Sequence, residues 1–401
     1  MRSNVTIHSP VEIALLDSTL NTPLKIADIL DELKTRNNPA LEVLIREAFK
    51  SMNKPIAKGQ GINIQFYHVG SDAYVFLVQP QLTKDYLIMQ IARGGGDTEQ
   101  GNHVENDFDN LRELEKFKLG YLPRTYGTRG RISLCGLTEL PVTFTEYLAG
   151  YACLDNTHFG MPSNFKLLGH SDEDIEFDLE QSIDIMKQII KIVTYIFART
   201  YDSKTNKGRL VTEVVPEAGD FVYKVDSKKG QPSVKMVAVR QLDDALPREL
   251  LFYLNAPIGV YVMTDEGLMP RYFMAIGDKN HDATMLEGVR IGLREVFGCK
   301  ADKMLAAWVD DYNKNIKRDL TRIFSGIADG NIRSYDDVPA GYRTMLRCFA
   351  VRSYLQQEEE RTNCCRAPTA EDYAKSFSAL GKIRECIVDK VTDSMLINTR
   401  R

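Results

Sequence analysis

Three acidic side chains stand where their type and spacing could support chemistry. Asp220 follows Gly219 in the segment PEAGDFVYKV (216–225), and Asp243 and Asp244 lie together in QLDDA (241–245). A carboxylate can accept a proton from a hydroxyl group, or it can bind a hard cation through its oxygens. The Gly-Asp pair is also compatible with a turn that enters a hairpin. Adjacent acids in a strand point to opposite faces, which argues against a shared acid/base site for Asp243 and Asp244.

The composition indicates a soluble chain with a sizeable core. Its 401 residues are 43% hydrophobic and 26% charged, as in ordinary globular proteins. A formal charge of −4, with no basic stripe, argues against a nucleic-acid binder. We expect a cytoplasmic protein that does not enter a membrane, because no signal peptide or membrane-spanning apolar run is evident. The seven cysteines form no CxxC pair, so a local zinc site is not expected.

The elements that must position these acids change in type along the chain. Residues 1–58 are predicted to be a helical extension, because 23–34 and 40–52 carry apolar residues at helical spacing. Residues 59–150 are predicted to be a β-rich lobe with one helix, and residues 151–401 a mainly helical lobe. The predicted fold class is therefore α+β with two lobes. The lobe strands are predicted at 62–69, 73–80, 85–92, 131–137 and 141–148, its helix at 102–120, and later β segments at 209–215, 221–225 and 234–242. Later helices are predicted at 179–200, 288–297, 303–324, 340–360 and 370–391.

This order of elements resembles the kinase-like fold, and the segments YHVGSDAYVFLV (67–78), LIMQIAR (87–93), PVTFTEYLAG (141–150) and VAVRQLDDA (237–245) are similar to its motifs. The local sequence pattern is similar to that of aminoglycoside phosphotransferases and choline kinases over roughly residues 60–250. The resemblance implies a two-lobed phosphotransferase scaffold that uses ATP and Mg²⁺. It rests on order and local pattern, since the motif set is not intact.

In the small lobe the resemblance implies a nucleotide site. Gly70 and Ser71 match the tip of the hairpin that covers phosphate, although an ordinary β-turn explains them as well. Gln90 matches the lysine or arginine that pairs with phosphate, but it carries no charge. Glu146 and Leu148 match the passage into the hinge, where main-chain groups would bind adenine.

The family's phosphate-pairing residue is normally held by a carboxylate on the lobe helix. Asp107 matches that position, and Glu105 is an alternative one register away. Because aspartate is short and Gln90 offers no cation, the sequence favours a surface charge on a solvated helix face for both acids.

In the large lobe the resemblance implies a catalytic loop and a metal site. Asp220 matches the base that accepts the hydroxyl proton, whereas the histidine and asparagine that accompany it in the family are both absent. Gln241 takes the position of the aspartate that holds Mg²⁺. Asp243 or Asp244 would hold the metal if the alignment is shifted.

Two functions from different classes are compatible with these residues. The replaced positions favour a pseudokinase-like module with a degenerate nucleotide cleft, which binds a protein partner and could bind a nucleotide weakly. The alternative is a divergent ATP-dependent phosphotransferase that uses Asp220 as base and Asp243 or Asp244 for Mg²⁺. A third interpretation, that the lobe order is coincidental in another α+β protein, stays open at this point.

Overall fold

Two compact units make up the chain in the computed structural model. Unit 1 comprises Met1–Tyr151 and Val237–Gln241, and unit 2 comprises Ala152–Met236 and Leu242–Arg401. Unit 1 is rich in β-structure and unit 2 is mainly helical, so the predicted α+β class is confirmed. The structure describes residues 5–8, 14–16, 23–25, 29, 32, 38–70, 72–134, 136–155, 168–170, 175–176, 179–212, 218–225, 232–255, 260–264, 267–271, 281–343 and 346.

A six-stranded sheet forms the body of unit 1. Its strand order is β1-β4-β5-β6-β8-β7, and all neighbours are antiparallel except β1 and β4, which are parallel. The predicted order of three strands, one helix and two strands over 62–148 is confirmed. A separate β2-β3 hairpin precedes it. The strands are β1 Val5–His8, β2 Ala14–Leu16, β3 Pro23–Lys25, β4 Ile62–Val69, β5 Ala73–Pro80, β6 Leu87–Ala92, β7 Gly130–Leu134 and β8 Leu137–Glu146.

One face of this sheet is covered by helix α1, Pro39–Ser51. Alternating strand residues point to this face and are buried with the apolar stripe of α1, as the period-two and period-3.6 patterns require. The side chain of Asn38 accepts a hydrogen bond from Leu41 N–H at 3.1 Å, and Pro39 occupies the first turn. The helix predicted at 40–52 is thus confirmed. The other predicted extension helix is wrong at its start, because Pro23–Lys25 pairs with Ala14–Leu16 as a strand.

The other face of the sheet receives helix α2, Glu99–Glu115. Ala73 and Ala92 alternate with the core residues of β5 and β6, and they form a small buried cluster with Val104 of the helix. The helix begins after Thr98, whose hydroxyl accepts a hydrogen bond from Gly101 N–H at 3.1 Å. Because Ala73 and Ala92 are small, α2 can lie close to the sheet. Polar side chains of α2 contact the main chain of Val239 and Arg240.

In its described residues, unit 2 combines small sheets with four α-helices. A five-stranded antiparallel sheet has the order β11-β10-β9-β13-β14, and β12-β15 and β16-β17 form two-stranded sheets. Helix α3 packs against α5, β12 and β14, and α6 packs against α4 and α5. The strands are β9 Ala152–Asp155, β10 Leu168–His170, β11 Ile175–Glu176, β12 Gly208–Thr212, β13 Ala218–Val225, β14 Pro232–Met236, β15 Gln241–Ala245, β16 Val260–Thr264 and β17 Gly267–Arg271. The helices are α3 Leu179–Thr200, α4 Pro247–Asn255, α5 His281–Phe297 and α6 Ala301–Ala328, with short 3₁₀ helices at Gly298–Lys300 and Tyr335–Asp337.

The single strand predicted at 234–242 is divided in the structure. β14 ends at Met236, residues 237–240 have no regular secondary structure, and β15 begins at Gln241. The intervening segment belongs to unit 1, because its main chain is bound by side chains of α2. The helices predicted at 288–297 and 303–324 are confirmed within α5 and α6. The helix predicted at 340–360 is helical at its described residues 340–343 and 346, and the rest of it and the helix predicted at 370–391 lie outside the described residues.

Glu249 of α4 is a buried acid in unit 2. The residue is 7% exposed, and Leu246 N–H donates to Oε1 at 3.4 Å. Within the described part of the chain, Oε2 has no hydrogen-bond partner. Burial raises the pKa of Glu249, and the N–H groups of Leu246 and Gly341 partly oppose this shift. The charged form of this carboxyl is therefore disfavoured in the fold.

We expect Glu249→Gln to flatten the dependence of stability on pH. Because the folded-state pKa is raised, the neutral carboxyl stabilises the fold fully below its unfolded pKa of about 4.3. That contribution is lost as pH rises through the folded pKa, whereas glutamine does not titrate. The advantage of the variant over wild type in urea unfolding should therefore grow from about pH 4.5 upward. Two results would contradict this expectation. The difference in the free energy of unfolding between variant and wild type could stay constant with pH, or Glu47→Gln, at an exposed position of α1, could show the same change with pH.

Candidate functional site

The tip of the β4-β5 hairpin is closed by its own main chain. Gly70 N–H donates to the carbonyl of Ala73 at 2.9 Å, and Arg93 Nη1 donates to the carbonyl of Gly70 at 3.2 Å. Gly70 does not have a left-handed φ, and a Cβ built on it would lie 3.6 Å from the nearest neighbour, Ala73 O. Glycine is thus not required here by the backbone. Ser71, the other predicted tip residue, lies outside the described residues.

Asp72, which follows the tip, is held by two side chains from distant parts of the sequence. Its Oδ2 lies 3.0 Å from Arg240 Nε, and its Oδ1 lies 3.2 Å from His103 Nδ1. The Asp72 side chain is 18% exposed, and that of Arg240 is 15% exposed. An ionised carboxylate can only accept, so both partners donate to it. The contact with His103 joins the hairpin to α2, and the ion pair with Arg240 joins it to the segment 237–241.

Gln90 and Asp107 do not act on each other as the family pattern would require. Gln90 Oε1 accepts a hydrogen bond from Thr143 Oγ1 at 3.2 Å, across the β6-β8 register that pairs the two residues. Asp107 is 6% exposed and accepts a hydrogen bond from Val239 N–H. The interpretation of Asp107 as a surface charge is therefore wrong, because α2 turns this carboxylate onto a neighbouring main chain. Glu105, the alternative, pairs with Arg131 Nε at 3.0 Å.

The segment 237–241 is bound to α2 at three points. Besides Asp107 at the Val239 N–H, the Asn110 amide donates to the carbonyls of Val239 at 2.8 Å and Arg240 at 3.3 Å. Val239 is itself buried. Together with the Arg240–Asp72 pair, these contacts are called the α2 clamp below. The clamp engages the stretch that leads into Gln241, where the family resemblance would place the metal.

The end of β8 is occupied by internal contacts as well. Glu146 N–H donates to the carbonyl of Arg124 at 2.8 Å, and Glu146 Oε2 accepts from Arg124 N–H at 3.2 Å. The half-buried Leu148 follows the strand, and its carbonyl accepts from Tyr151 N–H at 3.1 Å. The ring of Tyr147 lies 5.6 Å from that of Tyr86, centroid to centroid. The side chain of Glu146 is thus directed to the 124 segment.

Asp220 lies within β13 of unit 2 and is 1% exposed. Its strand is paired on both sides, by β14 and by β9, and the register with β9 shifts between Ala218 and Val222. The Gly-Asp pair therefore belongs to a strand that continues through Val225, rather than to a turn. A carboxylate enclosed in this way would need an opening of its surroundings to meet a substrate hydroxyl.

Asp243 and Asp244 form separate ion pairs in unit 2. Asp243 Oδ2 lies 3.3 Å from Arg343 Nη1 and accepts from Thr212 Oγ1 at 3.3 Å. Asp244 Oδ1 lies 3.2 Å from Arg209 Nη1. Since the two acids are adjacent in β15, they point to opposite faces, as expected from the sequence. Among the residues that the structure describes, no group of three or more His, Cys, Asp or Glu side chains could hold a metal ion.

Several polar residues of this region were missed by sequence reasoning. Asp72 follows the predicted tip residues, but its partner Arg240 is 168 positions away, and nothing local in the sequence connects them. Asn110 lies on the polar face of an amphipathic helix, where an amide gives no signal of its own.

No helix among the described residues is long and apolar enough to span a membrane.

Comparison with known proteins gives only distant matches. No protein-family model matches the chain, and no curated protein matches it. The microcompartment-associated aminopropanol kinase is 9% identical over 89% of this chain and 99% of its own, with a TM-score of 0.36. Choline kinase from Cryptosporidium parvum Iowa II is 10% identical over 89% and 100%, with a TM-score of 0.39. Spectinomycin phosphotransferase, in complex with ADP and spectinomycin, is 7% identical over 65% and 84%, with a TM-score of 0.31.

These matches include the enzyme classes that the sequence resembles. With identities of 10% or less and TM-scores below 0.5, the superpositions assign no role to any residue of this chain. The kinase-like order of elements is carried by unit 1 itself, where three antiparallel strands, one helix and two further strands follow one another in a single sheet.

Proposed function

We propose that the chain is a kinase-like, non-catalytic module that acts by binding a protein partner. The observation that carries the proposal is the α2 clamp. Phosphoryl transfer depends on positioning and on cations that neutralise the phosphate charge, chiefly Mg²⁺ and a lysine or arginine. In unit 1, the groups at the corresponding positions are neutral or are already engaged within the chain.

The positions that would meet phosphate support the proposal. Gln90 brings no positive charge, and its carbonyl oxygen is bound to the Thr143 hydroxyl. Asp72 places a negative charge beside the hairpin tip, where it repels phosphate oxygens. The arginine that pairs with this acid, Arg240, lies in the segment where the family resemblance would require a metal-binding carboxylate. The hairpin tip thus carries an added negative charge, and a cation stands next to Gln241, where a working nucleotide site would have a metal-binding aspartate.

The acids of unit 2 support the same conclusion. A metal ion at Asp243 or Asp244 would have to displace a guanidinium group, because each carboxylate is already paired with an arginine. Asp220 is enclosed by neighbouring strands. The divergent phosphotransferase with Asp220 as base and Mg²⁺ at Asp243 or Asp244 is the competing function, and the experiment below separates the two.

We expect no metal-dependent stabilisation of the protein by ATP. A ligand that binds only the native state raises stability by about 2.7 kcal/mol at one hundred times its Kd, so even a weak site should register at millimolar nucleotide. The measurement is thermal unfolding with ATP alone and with Mg²⁺ or Mn²⁺, on wild type, Asp220→Asn and the exposed-site control Asp310→Ala. A rise in Tm that requires metal and is lost in Asp220→Asn would overturn the proposal in favour of the transferase.

The partner-binding part of the proposal has its own test. A candidate protein captured by the purified chain should bind it with a defined stoichiometry in isothermal titration calorimetry, with or without ATP and Mg²⁺. Affinity that depends on Mg²⁺-ATP would contradict a module that works without nucleotide.

A further inference from the structure

We propose that Asp72 is a built-in anion that occupies an anion-binding position at the hairpin tip and so excludes phosphate from it. This inference rests on the proposed function and deepens it, because it names the residue that prevents a nucleotide phosphate from binding in unit 1. It also predicts that removal of the Asp72 carboxylate creates anion binding, which a nucleotide site that had only lost its binding residues would not show.

The donors around Asp72 have the character of an anion site. Arg240 Nε and His103 Nδ1 donate to different oxygens of the carboxylate, at 3.0 and 3.2 Å. Arg93 provides a third cation nearby, since its Nη1 donates to the carbonyl of Gly70 at 3.2 Å while its guanidinium lies 6.0 Å from the centroid of the Tyr74 ring. Guanidinium and imidazole N–H donors of this kind bind phosphate as readily as carboxylate.

The three basic side chains are held by separate elements. Arg93 follows β6, His103 belongs to α2, and Arg240 belongs to the clamped segment 237–241. The main chain beside Arg240 is fixed independently of Asp72, by Asn110 at the Arg240 carbonyl and by Asp107 at the Val239 N–H. Removal of the Asp72 carboxylate should therefore leave the cations in position, with the negative charge between them missing.

A free anion cannot easily compete with Asp72 in the native chain. The carboxylate is covalently attached to the hairpin, so its effective concentration at the donors is far above that of any dissolved phosphate. The carboxylate accepts from Arg240 and His103 in a largely buried place, where a charge without a partner is costly. Once the carboxylate is removed, an external anion that restores the charge should bind and stabilise the fold.

The competing explanation is that Asp72 only ties the hairpin to α2 and to segment 237–241. Both explanations predict that Asp72→Ala is less stable than wild type. They differ in the anion binding of the variant, because a purely structural tie leaves no site for an anion, whereas an occupied anion site is opened by the substitution.

The experiment is a titration of Asp72→Ala with inorganic pyrophosphate and with ATP, in the presence of EDTA, by calorimetry and thermal unfolding. We expect both anions to bind about tenfold or more tightly than to wild type and to raise the Tm of the variant. The gain should disappear in Asp72→Ala/Arg240→Ala. Asp85→Ala, which removes an acid paired with Lys54 in unit 1, should bind like wild type. Should Asp72→Ala fail to fold, the isosteric Asp72→Asn should also bind both anions more tightly than wild type, by a smaller factor.

The outcomes separate this inference from the proposed function. Equal binding of anions by wild type and both Asp72 variants overturns the inference and leaves the proposed function intact. A gain that persists without Arg240 also overturns it, because the bound anion is then elsewhere. Metal-dependent ATP binding by wild type overturns the proposed function, whatever the Asp72 variants do.

Discussion

Asp107→Ala is expected to lower the free energy of unfolding by about 3 kcal/mol, because it removes a buried charged acceptor and leaves a main-chain donor without its partner. The Asp107 carboxylate is the acceptor for Val239 N–H, and both residues are buried. The methyl group of alanine cannot accept, and both residues are shielded from bulk solvent. Urea unfolding gives the free energy, and hydrogen exchange of the Val239 amide reports on the broken bond directly.

Two matched variants on α2 make this prediction specific. Asp109→Ala removes an exposed acid that pairs with Arg129 Nη1 at 2.7 Å, and it should unfold close to wild type because exposed pairs contribute little. Asp107→Asn keeps an oxygen that can accept from Val239 N–H, so it should lose less stability than the alanine variant. If Asp107→Ala and Asp109→Ala have equal stability, or if exchange at Val239 is unchanged, the α2 clamp does not hold this segment.

This result bears on the proposed function as well as on stability. The clamp uses the helix carboxylate for a main-chain bond, whereas a working phosphotransferase would use it to hold a phosphate-pairing cation. Because Gln90 offers no such cation, loss of Asp107 should not change any response to ATP. A response to Mg²⁺-ATP that appears or disappears with Asp107 would give this carboxylate a role beyond the clamp.

Asp319→Ala is the second large effect, with an expected loss of about 3 kcal/mol in the free energy of unfolding. The Asp319 side chain is 12% exposed and lies 2.6 Å from Arg248 Nε, and its Oδ2 also accepts from Tyr342 OH at 3.1 Å. The substitution leaves the Tyr342 hydroxyl without this acceptor, and it leaves Arg248 with the longer contact of its Nη1 to Asp311 Oδ2, at 3.5 Å. Burial, reinforced by Asp319 and Glu249, raises the pKa of Tyr342, so the hydroxyl stays protonated and must donate. Thermal and urea unfolding measure the loss.

The control for Asp319 lies on the same helix, α6. Asp310 is exposed and pairs with Lys314 one turn away, so Asp310→Ala should remain close to wild type. Asp319→Asn retains an acceptor for Tyr342 OH without the charge that Arg248 requires, and should fall between wild type and alanine. A loss in Asp310→Ala as large as that in Asp319→Ala would mean that the buried network around Asp319 does not set the effect.

Local pattern in the sequence determined most of the elements in unit 1. Alternation of apolar and polar residues predicts β4 to β8, since one face of each strand is buried against α1 and the period of a strand is two. The start signals of Asn38 and Pro39 predict α1 because they satisfy the free N–H groups of its first turn. Each of these signals acts over a few residues, so each can be recognised without the rest of the fold.

Tertiary structure alone decided what the polar residues do. Asp107 is predicted to be a surface charge because Gln90 offers it no cation, yet it is buried against Val239, which is 132 positions later. Asp72 and Arg240 meet across 168 positions, and 234–242 is predicted to be one strand although its middle is bound to α2 within unit 1. Hydrogen bonds and ion pairs depend on where distant segments come to lie, and that position is set by packing of the whole chain. The sequence thus determined which elements form, and the packed structure decided which charges meet.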